Sequence, residues 1–329
     1  MIAKKVRRSR RSARVQTGVS AAIKSGQAMA EDVIAFRTKQ TRKRTATVRR
    51  MARAPKPRRA PAAPQIPSRT RALLGTAVSA GVLIAEGDSW FDYPFNDVLQ
   101  MLEDDFLYDV ESVAHKGDTV DDMAHSGGQF EEFARRLEKL LRANKVPRAI
   151  LLSGGGNDIA GDEFAILLNH AASSLPAIND DIVRGLIDVR LRAAYARIIS
   201  GLTKITQTYL GRPIPIVTHG YDYALPDGRG FWGGLGPLPG PWLEPGFRKK
   251  GHVDFGKNSA VVVKLIDQFN AMLKDVSATP GFGHVHYLNL RNTLKHDGTY
   301  KKHWANEMHP TEEGFTMVSK KFADLVAKL

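Results

Sequence analysis

The chain has 329 residues, 43% of them hydrophobic, and a net charge of +14, so it can bury a substantial core in one or two domains. It contains no cysteine, which excludes disulfide bonds and thiolate ligands or nucleophiles but leaves the compartment open. No apolar run reaches the ~18 residues of a membrane-spanning helix, so we expect no transmembrane segment.

The positive charge is concentrated at the start of the chain. Residues 1–71 contain 21 Lys and Arg against two acids, a charge of +19, whereas the other 258 residues carry −5. The residues from Val15 to Phe36 are compatible with a helix. The arm has so few apolar residues, however, that their burial would not offset the conformational entropy lost on folding. Five prolines in residues 54–67 predict an extended linker. We therefore expect a basic, largely disordered arm over residues 1–71 and a folded domain over residues 72–329.

The composition of this arm indicates a binding role. It is typical of a segment that binds a polyanion, either a nucleic acid or an anionic membrane, or of an organellar transit peptide. Lys24, Glu31 and Asp32 interrupt its apolar residues, which disfavours a Sec signal peptide. We favour the cytoplasm, with organellar targeting or non-Sec export as alternatives.

From Leu73 onward, short apolar runs alternate with longer segments of helical period. Strands that are apolar on both faces and alternate with helices are typical of a parallel sheet covered on both sides. Ligands of such sheets bind beyond the carboxyl ends of the strands. The predicted strands are Val82–Ala85, Tyr108–Ala114, Ala149–Leu152, Ile214–Val217 and Val285–Leu290, and the predicted helices are Phe95–Leu102, Gly127–Ala143, Ile178–Leu210, Ala260–Val276 and Thr311–Leu329.

The first predicted strand runs directly into the segment Gly87-Asp88-Ser89-Trp90. A glycine at the strand end permits a tight turn, and the serine after it would project its hydroxyl above the sheet. A helix starting soon after Pro94 would help to stabilise negative charge there. Ser89 is therefore a candidate nucleophile. The alternative is that Asp88 and Ser89 only cap the following helix.

The second and third strands end in the glycine-containing segments 115–119 and 154–158. Glycine lets backbone N–H groups approach a ligand closely, and the amide of Asn157 can donate to an oxyanion. Taken alone, each segment is better explained as a flexible turn or an Asx-type turn. Near the C-terminus, His309 precedes Pro310 and the last helix, a position that suits a general base.

These segments together resemble a known family. Gly-Asp-Ser at 87–89, the glycine at 117, Gly-x-Asn-Asp at 155–158 and His-Pro at 309–310 are similar to the four sequence blocks of SGNH (GDSL-like) hydrolases, over about residues 82–329. The resemblance implies a flavodoxin-like three-layer α/β/α sandwich with five parallel strands in order 2-1-3-4-5. It also implies hydrolysis of carboxylic esters without a cofactor.

The resemblance assigns roles to individual residues. Ser89 would be the nucleophile and His309 the base. The oxyanion hole would consist of the backbone N–H groups of Ser89 and Gly117 and the side-chain amide of Asn157. Each such donor typically contributes about 10²- to 10³-fold in rate.

One position departs from the pattern of the family, which usually has Asp three residues before the His. This chain has Asn306 there. An amide oxygen can accept a hydrogen bond from the ring N–H, but it carries no negative charge. Either Asn306 or a backbone carbonyl orients His309, or Glu307 takes over that role.

The segment from Phe231 to Phe247, rich in Gly, Pro and aromatic residues, follows the fourth strand at the same edge. Such segments are binding loops or surface insertions, and we favour contact with the substrate. Trp90, Trp232 and Trp242 are the candidate substrate-binding residues. The ester itself stays open among small acyl, lipid and acetylated-sugar esters.

The sequence offers little support for other catalytic or cofactor-binding motifs. No Gly-x-Ser-x-Gly elbow occurs, the glycines at 154–156 lack the Gly-Lys-Ser/Thr of a P-loop, and the turn after the first strand lacks Gly-x-Gly-x-x-Gly. His284 and His286, with His296 or His303 nearby, are a weak metal pattern without a spaced carboxylate, so we expect neither metal nor cofactor.

The alternative function is a nucleic-acid or anionic-surface binding protein that uses the basic arm and carries a weakly active or inactive hydrolase domain.

Overall fold

A computed structural model describes the chain over residues 2–53, 79–126, 128–161, 163–231 and 239–329. At its centre lies a five-stranded parallel sheet in the order β2-β1-β3-β4-β5. Helices pack around this sheet, so the predicted α/β fold and its strand order 2-1-3-4-5 are confirmed. The strands are β1 Gly81–Glu86, β2 Tyr108–Ser112, β3 Ala149–Leu152, β4 Ile216–His219 and β5 Val285–Leu288.

The helices form two groups, one of α2 with α10 and one of α3, α4, α7 and α9. A π-helical segment, 185–191, joins α6 to α7 into the continuous helical stretch that the sequence predicted. The helices are α1 Ile2–Arg53, α2 Val98–Asp104, α3 Val120–His125, α4 Gln129–Arg142, α5 Gly156–Ile159, α6 Asp180–Arg184, α7 Arg192–Leu210, α8 Glu244–Lys249, α9 Phe255–Ser277 and α10 Glu312–Val326.

The centre of the sheet is buried on both faces. All four residues of β3 are buried, and β3 pairs with β1 so that Leu152 lies opposite Glu86. The segments that follow these two residues therefore leave the sheet side by side. This pairing brings the turn of Ser89 next to the turn that contains Asn157.

The helix after β1 begins later than predicted, at Val98 and not at Phe95. Asp97 caps it, accepting from the backbone N–H of Gln100 at 2.8 Å, and Phe95 has a φ of +77° that no α-helix contains. The short helices α3, α5 and α8 were not predicted, because four to six residues are too few to show a helical period.

The basic arm differs from the expected, largely disordered segment. Residues 2–53 form α1, which packs along α7. The two helices meet at Gly26, where a Cβ atom would lie 2.0 Å from the backbone oxygen of Arg197. Ser200 Oγ donates to the backbone oxygen of Ile23 at 3.0 Å, and Arg197 Nη1 donates to Ser25 Oγ at 2.8 Å. Around this close approach the apolar residues of α1 lie on one face: Val19 and Ala30 are buried, and Ile23, Val33 and Ile34 are partly buried against the core.

Beyond this contact α1 extends into solvent. Arg37 forms a salt bridge of 3.3 Å with Glu138 of α4, and residues 38–46 are exposed. Among the described residues, no helix is both long and apolar enough to cross a bilayer. The Pro-rich linker and the boundary drawn between residues 71 and 72 lie outside the described residues, so that boundary stays a prediction.

We predict that Gly26→Leu displaces α1 from α7, because the new side chain overlaps the backbone of Arg197; such overpacking costs about 1–3 kcal/mol. Gly18→Leu is the matched control, since a Cβ at Gly18 meets no atom within 4 Å. Both changes raise helix propensity equally. Tryptic cleavage after Lys24, followed by mass spectrometry, should be about tenfold faster in Gly26→Leu only. Equal rates in the two variants would mean that α1 does not dock through Gly26.

Candidate active site

Two residues from opposite ends of the domain meet at the carboxyl edge of the sheet. Ser89 lies in the turn after β1, and His309 lies in the loop before α10. Ser89 Oγ is 2.7 Å from His309 Nε2. Both residues are buried, with exposed fractions of 9% and 4%. The serine hydroxyl is thus within hydrogen-bond distance of a general base.

Asn306 sets the tautomer of His309. Its Oδ1 lies 2.9 Å from the backbone N–H nitrogen of His309 and 3.0 Å from that of Met308. Since two N–H groups point at this atom, it is the amide oxygen. It also lies 3.0 Å from His309 Nδ1, so Nδ1 carries the proton and donates it. Nε2 is then unprotonated and accepts from Ser89.

The imidazole of His309 lies against two aromatic rings. Tyr93 stacks on it with 4.2 Å between ring centroids and 17° between planes, and Trp242 meets it at 5.2 Å and 68°. Burial lowers the pKa of His309 to about 3. The ring is therefore neutral at physiological pH, the form that a base requires.

Glu307, the other candidate for orienting His309, faces a different part of the chain. Its carboxylate accepts four backbone N–H groups of the loop that follows β4. Burial raises its pKa, and these four donors oppose that shift. Glu307 therefore fastens the loop that carries Trp242 beside His309, while Asn306 contacts the ring. The donors are Gly228 at 3.0 Å, Trp242 at 2.6 Å, Leu243 at 2.7 Å and Glu244 at 3.0 Å.

The candidate oxyanion donors lie in the turns that follow β1, β2 and β3. Gly117 has a φ of +93°, which favours glycine. The backbone N–H groups of Ser89 and Gly117 donate to no other residue in the part of the chain that is described. One N–H of the Asn157 amide donates to the backbone oxygen of Asp118 at 2.9 Å, which leaves the second N–H for a ligand.

The turns after β2 and β3 are also tied together by a carboxylate. Asp158 accepts from the backbone N–H groups of Val120 at 2.8 Å and Asp121 at 3.2 Å, at the start of α3. Burial raises the pKa of Asp158 to about 6. These bonds fix the Gly117 turn relative to Asn157, so the two donors keep one relative position.

The nucleophile turn is held by Asp88, which is fully buried. Its carboxyl group accepts from the backbone N–H of Trp90 at 3.0 Å, from Ser153 Oγ at 2.8 Å and from the hydroxyl of Tyr221. The same Tyr221 hydroxyl accepts from the backbone N–H of Gly156 at 3.2 Å. Tyr221 thereby links the turn of Ser89 to the turn of Asn157. Burial raises the pKa of Asp88, and these donors oppose the shift.

A further carboxyl group belongs to Glu86, the last residue of β1, which precedes the turn of Ser89. It is 3% exposed, and burial, followed by the nearby Asp118, raises its pKa to about 9. Its Oε1 has no hydrogen-bond partner among the described residues. Glu86 is therefore protonated at neutral pH, so it adds no negative charge beneath the site.

The three tryptophans predicted to bind substrate have different positions. Trp90 is buried, and its Nε1 donates to the backbone oxygen of Met308 at 3.0 Å. Trp242 lies against His309, and Trp232 lies outside the described residues. An apolar cavity of about 60 Å³ lies beside Trp90, Gly156 and Met308, the chain neighbours of Ser89, Asn157 and His309. Leu243, Val262 and Phe269 also line it.

The sequence did not single out Tyr93 or Tyr221. Both reach the site through tertiary packing, and neither belongs to a local motif, so no sequence signal indicated them. His284, weighed as a metal ligand, pairs its Nε2 with Thr203 Oγ1 at 2.8 Å. No group of three or more His, Asp or Glu that could hold a metal ion is found in the described ranges.

No family model and no curated protein matches this sequence. Solved structures with a similar arrangement include a lipase from a goat rumen metagenome (14% identity, 74% of this chain and 96% of that chain, TM-score 0.45). A proposed SGNH hydrolase from Slackia heliotrinireducens (13%, 75% and 98%, 0.40) and a carbohydrate acetylesterase from Sinorhizobium meliloti (13%, 75% and 99%, 0.41) are similar too. At these values the similarity assigns neither activity nor substrate to this chain.

Proposed function

We propose that this protein is a serine esterase that hydrolyses a carboxylic ester through an acyl-enzyme on Ser89. The observation that carries the proposal is the 2.7 Å distance between Ser89 Oγ and the unprotonated Nε2 of His309. The backbone N–H groups of Ser89 and Gly117, which have no partner among the described residues, and the amide of Asn157 support it. Together these groups provide a nucleophile, a base and donors for an oxyanion.

In the acylation step, Ser89 Oγ attacks the ester carbonyl carbon while its proton passes to His309 Nε2. The carbonyl oxygen becomes an oxyanion that Ser89, Gly117 and Asn157 stabilise. The bond to the alcohol oxygen then breaks, and His309 gives its proton to that leaving oxygen. In the second step a water loses a proton to His309 and attacks the acyl carbon, and the proton returns to Ser89 as the acid leaves.

The cavity beside the site suggests the acyl group. Its walls are apolar, so it suits the methylenes of an acyl chain. Trp90 and Met308, which line it, are the chain neighbours of Ser89 and His309. We therefore favour an ester whose acyl group is a hydrocarbon chain that enters this cavity.

Ser89→Ala should lower esterase activity at least about a thousandfold, because the acyl-enzyme can no longer form. A fluorophosphonate probe should label the unchanged protein at Ser89 and leave Ser89→Ala unlabelled. The exposed Ser126, which follows α3, supplies the control variant Ser126→Ala, which should be labelled normally. Labelling of Ser89→Ala at the normal rate, or an unlabelled Ser89 in the folded protein, would refute the proposed function.

Val262→Phe should fill the cavity and change the acyl preference. Val262 is 3% exposed and lines the cavity, while its neighbour Val263 is 36% exposed, so Val263→Phe is the matched control. The loss of space for one or two methylenes should lower kcat/KM for p-nitrophenyl butyrate about tenfold relative to the acetate. An unchanged butyrate-to-acetate ratio in a folded Val262→Phe variant would mean that the acyl group binds elsewhere.

A second function is favoured by the exposed part of α1. Residues 38–46 are exposed and include Lys39, Arg42 and Arg44, and no acid lies between Asp32 and Glu86. Basic segments also bind anionic membranes through charge, but a helix that lies on a membrane surface adds the burial of an apolar face, and residues 38–46 have none. We therefore propose that this part of α1 binds the phosphates of a nucleic acid.

Replacing Lys39, Arg42 and Arg44 by Gln should weaken retention on heparin and binding to double-stranded DNA. The slope of log affinity against log salt should become shallower by about 2–3, as each phosphate contact contributes about 0.9. The control removes three exposed lysines elsewhere, Lys320, Lys321 and Lys328. Hydrolysis of p-nitrophenyl acetate should not change in either variant. If the two triple variants lower DNA binding equally, α1 has no specific role in that binding. If the unchanged protein binds anionic vesicles and not DNA, the partner of α1 is a membrane surface.

A further inference from the structure

The proposed mechanism requires His309 to become positively charged in the transition state. Serine hydrolases commonly stabilise this imidazolium with a carboxylate on Nδ1. Here Nδ1 faces the neutral amide of Asn306, and the adjacent carboxylate of Glu307 is engaged by four backbone N–H groups. Burial of the ring opposes its protonation. Some other group must therefore favour the charged form of His309.

Tyr93 is placed to do this. Its ring is parallel to the imidazole within 17°, with centroids 4.2 Å apart. Its hydroxyl accepts from Asn306 Nδ2 at 2.9 Å, and its ring packs against Phe315 with centroids 5.9 Å apart. The same Asn306 that orients His309 thus also holds Tyr93 over it. The ring position is fixed before substrate binds.

We propose that Tyr93 is a positioning residue whose ring face stabilises the imidazolium of His309, in place of the carboxylate that this site lacks. This inference rests on the proposed serine esterase function. The face of an aromatic ring carries partial negative charge and attracts a cation within about 6 Å of its centroid. The attraction to neutral imidazole is weaker, so Tyr93 stabilises the transition state more than the ground state.

A purely structural role is the alternative, in which the ring only fills space beside His309. The two roles differ in how they depend on the electron density of the ring. Fluorine withdraws electrons from the ring face while it changes the ring's size little. Graded fluorination therefore separates electrostatic stabilisation from packing.

The experiment replaces Tyr93 in the full chain by phenylalanine and by its mono-, di- and trifluorinated forms. Phenylalanine keeps the ring but loses the hydrogen bond to Asn306, so it is the reference for the fluorinated forms. Relative to phenylalanine, the logarithm of the turnover of p-nitrophenyl acetate and of the rate of Ser89 phosphonylation should fall with each added fluorine, to a total loss of about tenfold. Melting temperatures should stay the same along the series.

Phe315 is the matched control position, because it contacts Tyr93 and is fully buried. The same fluorinated series at Phe315 should leave both rates unchanged. In an Asn306→Asp background the series at position 93 should become nearly flat, because a carboxylate then stabilises the imidazolium.

Three outcomes decide the question. A flat series at position 93 with Ser89 still labelled, or an equal decline at Phe315, overturns the role of Tyr93 and leaves the esterase function standing. An unreactive Ser89 in the unchanged protein refutes the esterase function and this inference with it. A graded decline confined to position 93 and suppressed by Asn306→Asp supports the inference.

Discussion

The hydrogen bonds of the buried Asp88 carboxyl group hold together the edge of the sheet that carries the candidate active site. The donors to Asp88 come from Trp90, Ser153 and Tyr221, that is, from the ends of β1, β3 and β4. A buried carboxyl group without partners would be costly, so these three segments stay close enough to satisfy it. The position of Ser89 follows from this arrangement, since it lies between Asp88 and Trp90 in the same turn.

The groups that contact the His309 imidazole among the described residues are neutral: Ser89, Asn306, Tyr93 and Trp242. Asn306 takes the place next to His309 that a carboxylate would occupy, and burial keeps Glu86 protonated beneath the strand ends. Neutral partners avoid the cost of burying an unpaired charge. In the proposed mechanism they also leave the imidazolium without a counter-ion at Nδ1. The stacking of Tyr93 on the ring is the observed contact from which we propose its stabilisation.

Much of the fold could be predicted from the sequence, because strands and helices follow local patterns of apolar residues. The apolar run Ala149–Leu152 is buried on both faces, as a strand of a parallel sheet must be. The structure of the arm differs more from the prediction. Its low apolar content indicated disorder, yet α1 lies against α7 through the close approach of Gly26 to Arg197. Composition averages the apolar residues over the whole arm, whereas docking uses the few that share one face of α1 with Gly26, such as Val19 and Ala30.

The sequence by itself determined the strand order, through its resemblance to a known family, and the candidate nucleophile and base, because these residues stand in short motifs at strand and helix ends. It left open whether Asn306 or Glu307 faces His309. Only the tertiary structure separated them, since the choice depends on where the loop 228–244 presents its N–H groups to Glu307. The contact of Tyr93 with His309 was likewise decided by the tertiary structure. The two stacked rings lie more than two hundred positions apart in the chain, so no local sequence pattern indicates the contact.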